Sequence, residues 1–119
     1  MSRKTPLAME PRSYVCDINK RTNELTLYSS TQVPGIIKDA IMTYLGINGN
    51  QIIVIAPDVG GGFGGKASLY MEELIIVGLA KKLGRPIKWV SDRYEDLLTT
   101  SQGFEEIIEA ELLLDKKGN

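Results

Sequence analysis

Hydrophobic residues recur along the first third of this chain with two different periods. Apolar and polar positions alternate over Arg12–Ile18 and again over Leu25–Ser29, which predicts two strands, and the polar residues between them predict a hairpin turn. Through Ile36–Leu45, apolar residues recur at three- and four-residue spacing and predict an amphipathic helix that ends at Gly46. The chain therefore opens with a β-hairpin followed by a helix.

The remaining pattern alternates strand and helix. The apolar run Gln51–Ala56 predicts a buried strand, and a largely apolar stretch from about Ala67 to Leu83 predicts a second helix. Ile87–Val90 predicts a short strand, Tyr94–Leu98 a turn of helix, and period-two alternation over Phe104–Leu114 a final strand. The order β-β-α-β-α-β-β predicts an α+β fold, a two-layer structure with a mixed sheet and two helices packed on one face. We expect residues 1–119 to form a single domain.

The amino-acid composition says little about the fold but excludes several kinds of catalysis and metal site. The 119 residues carry a net charge of −1, which indicates neither a nucleic-acid-binding nor a membrane-surface protein. Histidine is absent and Cys16 is the one cysteine, so catalysis by histidine and the usual zinc sites are excluded. Any metal must therefore be held by a cofactor, and we interpret Cys16 as a small buried core residue.

A glycine-rich loop, Asp58–Lys66, joins the central strand to the second helix. Its glycines allow the backbone to adopt positive φ and to lie directly against a ligand. A helix that begins just after the loop would point free N–H groups at that ligand, which suits a phosphate, a pterin or an oxo group. Phe63 is flanked by glycines, so it is predicted to contact a ligand or another chain. A flexible turn is the plainer alternative.

Two phosphate-binding patterns fit this loop poorly. The Walker pattern has the correct spacing from Gly60 to Lys66, but Ala67 occupies the position of the magnesium-binding hydroxyl. The dinucleotide pattern requires an acidic residue about 20 positions further on, and residues 80–86 contain none. Both alternatives are weakened by these residues.

Several motifs together resemble the molybdenum hydroxylases, the family of xanthine dehydrogenase, aldehyde oxidoreductase and the carbon monoxide dehydrogenase large subunit. The loop Val59–Lys66, preceded by Ile55–Asp58, resembles their molybdopterin-binding loop. Further matching segments follow the family's order and extend the resemblance over nearly the whole chain; they are Met9–Arg12, Leu27–Pro34, Leu83–Trp89 and Asp92–Asp96.

The resemblance assigns cofactor contacts. It implies that Gln32 donates a hydrogen bond to an oxo ligand of the molybdenum, a role for which a side-chain amide is suited. It also implies that backbone groups and the Phe63 ring line the cofactor at Gly61, Gly62, Phe63 and Gly64. Lys66 is expected to support the loop or a charged neighbour, and a direct role in the site is an equal alternative. Tyr70, Glu72 and Glu73 are interpreted as surface or packing residues.

Departures from the family pattern limit the expected activity. Xanthine-oxidising members have a glutamate where this chain has Ala67, so purine is not the expected substrate. The family's base glutamate would lie beyond Asn119, so no catalytic residue is expected in this chain, which should be inactive alone. The resemblance implies three partners: the remainder of the molybdenum subunit, an iron–sulfur subunit and a flavin subunit.

The sequence therefore predicts a molybdopterin-binding segment, or split subunit, of a cytoplasmic aldehyde-type molybdenum hydroxylase. The molybdopterin cofactor is expected in the holoenzyme, whether or not the isolated chain retains it. An exposed face around Phe63 and an unpaired edge near Leu112 predict self-association. The alternative is a non-enzymatic structural or anion-binding module that retains only the fold.

Overall fold

A computed structural model describes residues 4–101, 103 and 109–113. Its regular elements are, in chain order, β1 (Ser13–Asn19), β2 (Glu24–Ser29), α1 (Pro34–Leu45), β3 (Ile52–Ile55), α2 (Met71–Leu83), β4 (Ile87–Val90) and α3 (Arg93–Thr99). Each strand and helix from the hairpin to β4 lies within a few residues of its predicted position. In this part of the chain, no helix is long and apolar enough to cross a bilayer.

The strands form one mixed sheet in the order β3-β2-β1-β4. The hairpin pairs β1 with β2 antiparallel, β1 pairs antiparallel with β4, and β2 pairs parallel with β3. The parallel pair requires a crossover, and α1 provides it. This arrangement places the end of β2 beside the end of β3, so the segments that leave these two strands start close together.

One hydrophobic core fills the space between the sheet and two helices. Its buried residues come from β1, β2, β3, α1 and α2, and they include Cys16, Leu27, Ile41, Ile52 and Val77. Helices α1 and α2 pack against each other and on the same face of the sheet. The predicted two-layer α+β fold is therefore confirmed, and Cys16 is the buried core residue that was expected.

The other face of the sheet is not covered by these helices, and this corrects one expectation. Ile53 and Ile55 of β3 are exposed on this uncovered face, whereas the continuous apolar run predicted a buried strand. Tyr28, which pairs with Ile55, is exposed on the neighbouring strand.

The C-terminal part of the chain adds a short helix and an irregular segment. Helix α3 is capped by Asp92, whose carboxylate accepts a hydrogen bond from the Glu95 N–H at 2.7 Å. Of the final strand predicted over Phe104–Leu114, residues 104–108 and 114 lie outside the described residues. Residues 109–113 are described and are irregular.

Candidate functional site

The glycine loop is a tight turn with a left-handed backbone at three positions. The φ angles are +97° at Gly61, +50° at Phe63 and +86° at Gly64. The turn is closed by the Gly65 N–H, which donates to the Gly62 carbonyl at 2.8 Å. Phe63 is a bulky residue in a region that favours glycine, so its conformation costs about 1 kcal/mol or more. The loop holds this residue in a strained conformation, with 75% of its surface exposed.

Close packing explains two other glycines. A Cβ atom on Gly62 would lie 2.5 Å from Oε1 of Gln32, and one on Gly60 would lie 2.6 Å from the Glu10 Cβ. Any side chain at either position would therefore displace its neighbour. The loop backbone is in direct contact with Gln32 on one side and with Glu10 on the other.

Gln32 is bound to the loop through one side of its amide. Its Oε1 accepts hydrogen bonds from the N–H groups of Gly64 at 3.0 Å and Lys66 at 3.3 Å. Two N–H donors face this atom, so it must be the amide oxygen, and the Nε2 amino group points the other way. Within the described part of the chain, Nε2 has no acceptor, and Gln32 is exposed. The side chain thus presents a free donor to its surroundings.

Two backbone donors in the loop are also unused. The N–H groups of Gly62 and Phe63 have no acceptor among residues 4–101, 103 and 109–113, whereas those of Gly60, Gly61, Gly64 and Gly65 are bonded. Gly62 packs directly against the Gln32 side chain, so one of these donors belongs to a residue in contact with the Gln32 amide. The arrangement is suited to a ligand that accepts several hydrogen bonds, such as an oxo group or a pterin.

Glu10 fixes the other side of the loop. Its Oε2 accepts from the Gly60 N–H at 2.7 Å, from Ser30 Oγ at 2.9 Å and from Lys66 Nζ at 3.0 Å. Burial acts to raise the pKa of Glu10, but the Gly60, Lys66 and Ser30 hydrogen bonds outweigh it and hold that pKa below its usual value. Glu10 is therefore a carboxylate that joins the N-terminal segment to the loop.

Lys66 supports the loop and also has a charged partner, so both expectations for it hold. Its side chain is only 3% exposed, and its Nζ contacts Glu10 and Ser30 Oγ, the latter at 2.6 Å. Its carbonyl oxygen accepts from the Gln32 N–H at 2.9 Å and from Thr31 Oγ1 at 3.2 Å. Lys66 thereby binds residues 30–32, the Ser-Thr-Gln segment, with both its side chain and its backbone.

The second helix begins later than predicted, at Met71 and not near Ala67. A helix through Lys66 would need its carbonyl for an intrahelical bond, and that carbonyl is bonded to Gln32 and Thr31 instead. Two donors at the start of α2 are also used within the chain: the Glu73 carboxylate accepts from the Tyr70 N–H at 3.0 Å, and the Glu73 N–H donates to the Tyr70 carbonyl at 3.1 Å. The helix therefore does not begin directly after the loop, although the sequence predicted that it would.

Glu73 is a buried carboxyl that the sequence pattern did not reveal. It is 1% exposed, and its Oε1 accepts from the hydroxyl of Ser29 at 2.6 Å. Burial raises the pKa of Glu73, and the hydrogen bonds from Ser29 and Tyr70 offset only part of this effect. Glu73 ties α2 to the end of β2, immediately before the Ser-Thr-Gln segment. A glutamate in a helix's first turn is usually a surface residue, so local sequence gave no signal of this.

A second buried cluster anchors the N-terminal segment. Arg12 is 1% exposed, its Nε lies 3.0 Å from Oδ1 of Asp96, and its guanidinium stacks 4.0 Å over the Tyr70 ring. Burial acts to raise the pKa of Asp96, but the bonds from Arg12 and Ser91 hold it below its usual value. This cluster joins two of the segments that carried the resemblance, Met9–Arg12 and Asp92–Asp96.

The structure therefore brings the residues predicted to bind the cofactor together where the Gln32 side chain meets the glycine loop. Gln32 contacts Gly62 and Gly64, and the ring of Phe63 lies close to Gly61, where a Cβ would be 3.0 Å from its Cε2. In the described chain, no group of three or more His, Cys, Asp or Glu residues could hold a metal ion. The site consists of hydrogen-bond donors and one exposed aromatic ring.

A donor site of this kind on an α+β scaffold defines a binding segment for a ligand rich in acceptors, and comparison with known proteins identifies its class. The model of the molybdopterin cofactor-binding domain family matches residues 1–119. The chain is 36% identical to the nicotine 6-hydroxylase large subunit of Paenarthrobacter nicotinovorans, over 92% of this chain and 14% of that protein. It is 38% identical to the carbon monoxide dehydrogenase large chain of Afipia carboxidovorans, over 95% of this chain and 14% of that protein.

Solved structures of oxidoreductases contain a segment with the same fold as this chain. Quinoline 2-oxidoreductase from Pseudomonas putida 86 superimposes with a TM-score of 0.82 at 37% identity, over 86% of this chain and 13% of that chain. The aldehyde oxidoreductase of Desulfovibrio gigas superimposes with a TM-score of 0.77 at 20% identity, which shows the shared fold.

The chain belongs to the molybdopterin cofactor-binding domain family of the molybdenum hydroxylases, and molybdopterin is the cofactor of the holoenzyme. It spans only about one seventh of the length of these relatives, as a cofactor-binding segment does. The non-enzymatic module is therefore not favoured. The relatives include a large subunit, large chains and a complex subunit gamma, so they are parts of multi-subunit assemblies.

Proposed function

We propose that residues 1–119 form a single, partial molybdopterin-binding domain, in which Gln32, Gly61, Gly62, Phe63 and Gly64 contact the cofactor. The observation that carries this proposal is the set of free donors: the Gln32 amide and the N–H groups of Gly62 and Phe63. The cofactor offers oxo and pterin acceptors and brings its own metal. These residues fit it because they supply donors and no metal ligands.

Each residue contributes binding or orientation. Gln32 points its amino group outward because its oxygen is held by Gly64 and Lys66. Gly61 and Gly64 permit the left-handed turn that leaves the loop donors free, and Phe63 adds an exposed apolar wall. When bound, the cofactor supplies hydroxylation chemistry with water as the oxygen source, and this chain supplies its orientation.

The whole protein is then an aldehyde-type molybdenum hydroxylase. Ala67 removes the glutamate expected of purine-oxidising members, which supports a substrate other than purine. The chain would act in the cytoplasm, with the remainder of the molybdenum subunit, and electrons would leave through iron–sulfur and flavin subunits. No residue of this segment is assigned as the catalytic base.

Two measurements test the proposal. Gln32→Ala should lower the pterin content of the assembled protein about tenfold or more, the effect of losing one strong hydrogen bond. Lys20→Ala, a change in the exposed hairpin turn, is the control and should leave that content unchanged. The purified 119-residue chain should show no aldehyde oxidation with an artificial electron acceptor. Turnover by that chain, or full pterin content in Gln32→Ala, would contradict the proposal.

A further inference from the structure

Three segments distant in sequence meet at a single carboxylate oxygen. Oε2 of Glu10, in the N-terminal segment, accepts from Ser30, the first residue of the Ser-Thr-Gln segment, and from Gly60 and Lys66 of the glycine loop. The Lys66 side chain is 3% exposed and Ser30 is 4% exposed. A buried ammonium requires a charged partner, and Glu10 is the carboxylate within hydrogen-bond distance. We call Glu10, Ser30 and Lys66 the Glu10 cluster.

The Glu10 cluster is coupled directly to the orientation of Gln32. The backbone of Lys66 makes two bonds with Gln32: its carbonyl accepts the Gln32 N–H at 2.9 Å, and its N–H donates to Gln32 Oε1 at 3.3 Å. A shift of Lys66 toward solvent would therefore move both ends of Gln32. Among the described residues, the hydrogen-bond partners of the Lys66 ammonium are Glu10 and Ser30.

We propose that Glu10 and Lys66 are positioning residues that hold the Gln32 amide with its oxygen on the loop and its amino group toward the cofactor. This inference rests on the proposed function, in which Gln32 donates to the cofactor. Neither residue needs to touch the cofactor, because each acts through Gln32. The Glu10 charge is required, since a neutral side chain there would leave the Lys66 ammonium buried without a compensating charge.

The first test measures amide hydrogen exchange in the 119-residue chain. Glu10→Gln should accelerate exchange about tenfold, the effect of one lost hydrogen bond, at the three amides that join Gln32 to the loop. These amides belong to Gln32, Gly64 and Lys66. The Cys16 amide in the sheet should not change, whereas a general loss of stability would accelerate it as well.

Glu72→Gln is the matched control. It makes the same chemical change in a carboxylate whose Oε1 lies 3.5 Å from Nη1 of Arg12, away from the Glu10 cluster. It should leave all three amides unchanged. In a Gln32→Ala background, Glu10→Gln should no longer accelerate exchange at Gly64, because that amide has already lost its acceptor. If Glu10→Gln does not fold, Ser30→Ala can be used instead, because it weakens the same cluster without leaving a charge unpaired. Hydrogen exchange is then measured at the same three amides.

The second test measures pterin content in the assembled protein. Glu10→Gln should reduce the pterin content as Gln32→Ala does. Lys66→Met should also reduce it, and Lys66→Arg, which keeps the positive charge, should retain more pterin than Lys66→Met. Unchanged exchange at the three amides would overturn the positioning role, whatever the pterin content. If instead Gln32→Ala retains full pterin content, the proposed function fails, and the role of Glu10 toward the cofactor fails with it.

Discussion

Substitution of Gly62 by alanine tests the contact at the centre of the site. The added Cβ would lie 2.5 Å from Oε1, 2.6 Å from Cδ and 2.8 Å from Cγ of Gln32. Because the clash extends from Oε1 to Cγ, rotation at the end of the side chain does not relieve it, and the Gln32 side chain must swing away from the loop about its Cα–Cβ bond. It then loses its bonds from the N–H groups of Gly64 and Lys66.

The expected magnitude follows from these two bonds. Each contributes about 1 kcal/mol net, and alanine returns somewhat less than 1 kcal/mol by reducing the entropy of the unfolded chain. Gly62→Ala should therefore lower the free energy of unfolding by about 1 kcal/mol. Gly78→Ala is the control: it lies in α2, has no neighbour within 4 Å of the added Cβ, and should raise that free energy by about 0.5–1 kcal/mol.

Urea denaturation of the two variants and the parent chain measures both values. A third variant, Gly62→Ala combined with Gln32→Ala, removes the side chain that clashes, so the alanine at position 62 should cost nothing there. Equal stability of Gly62→Ala and Gly78→Ala would refute the described packing of Gln32 on the loop. A persistent penalty in the double variant would refute the assignment of the clash to Gln32.

Three further predictions concern single residues. Phe63→Gly should be more stable to urea than Phe63→Ala by about 1 kcal/mol, because both lose the ring but only glycine accepts a φ of +50° without strain; equal stability would argue against the left-handed turn. The pKa of Glu73 in the folded chain is raised above its ordinary value of 4.5. The stability that this difference contributes is fully present below pH 4.5 and is lost as the pH rises through the pKa of the folded state. The parent should therefore lose stability relative to Glu73→Gln as the pH rises above 4.5, and a parallel pH dependence of the two proteins would contradict this. Burial raises the pKa of Cys16 to about 12, so at pH 8 its alkylation should be at least about 100-fold slower in the folded chain than in urea.

The hairpin and α1 could be predicted from sequence because each shows one clear period. Alternation fixes which strand residues face the core, and three- and four-residue spacing does the same for the helix. The run that contains β3 was harder to interpret. A continuous apolar stretch is compatible with a strand buried on both faces. Ile53 and Ile55 are exposed because both helices pack on the other face of the sheet, which the stretch itself does not reveal.

Some residues of the candidate site could likewise be predicted from the sequence, and others could not. The glycine loop and Gln32 could be found from local motifs and from the resemblance they carry. The residues that hold them could not, because Glu10 and Lys66 are 56 positions apart and Arg12 and Asp96 are 84 apart. Neither pair has a local pattern that predicts its contact. The start of α2 was misplaced for the same reason, since the Lys66 carbonyl is taken by a segment more than 30 residues away.

The role of this chain in cofactor binding can be tested by measuring molybdenum and pterin content after its co-expression with the products of its neighbouring genes. We expect the chain to purify with a larger partner in a complex that contains molybdenum. Gln32→Ala, or a bulky residue at Gly62, should lower the molybdenum and pterin content about tenfold or more, while Gly78→Ala retains both. A folded monomer that carries neither and ignores those partners, or a Gln32→Ala complex with full molybdenum content, would contradict the account.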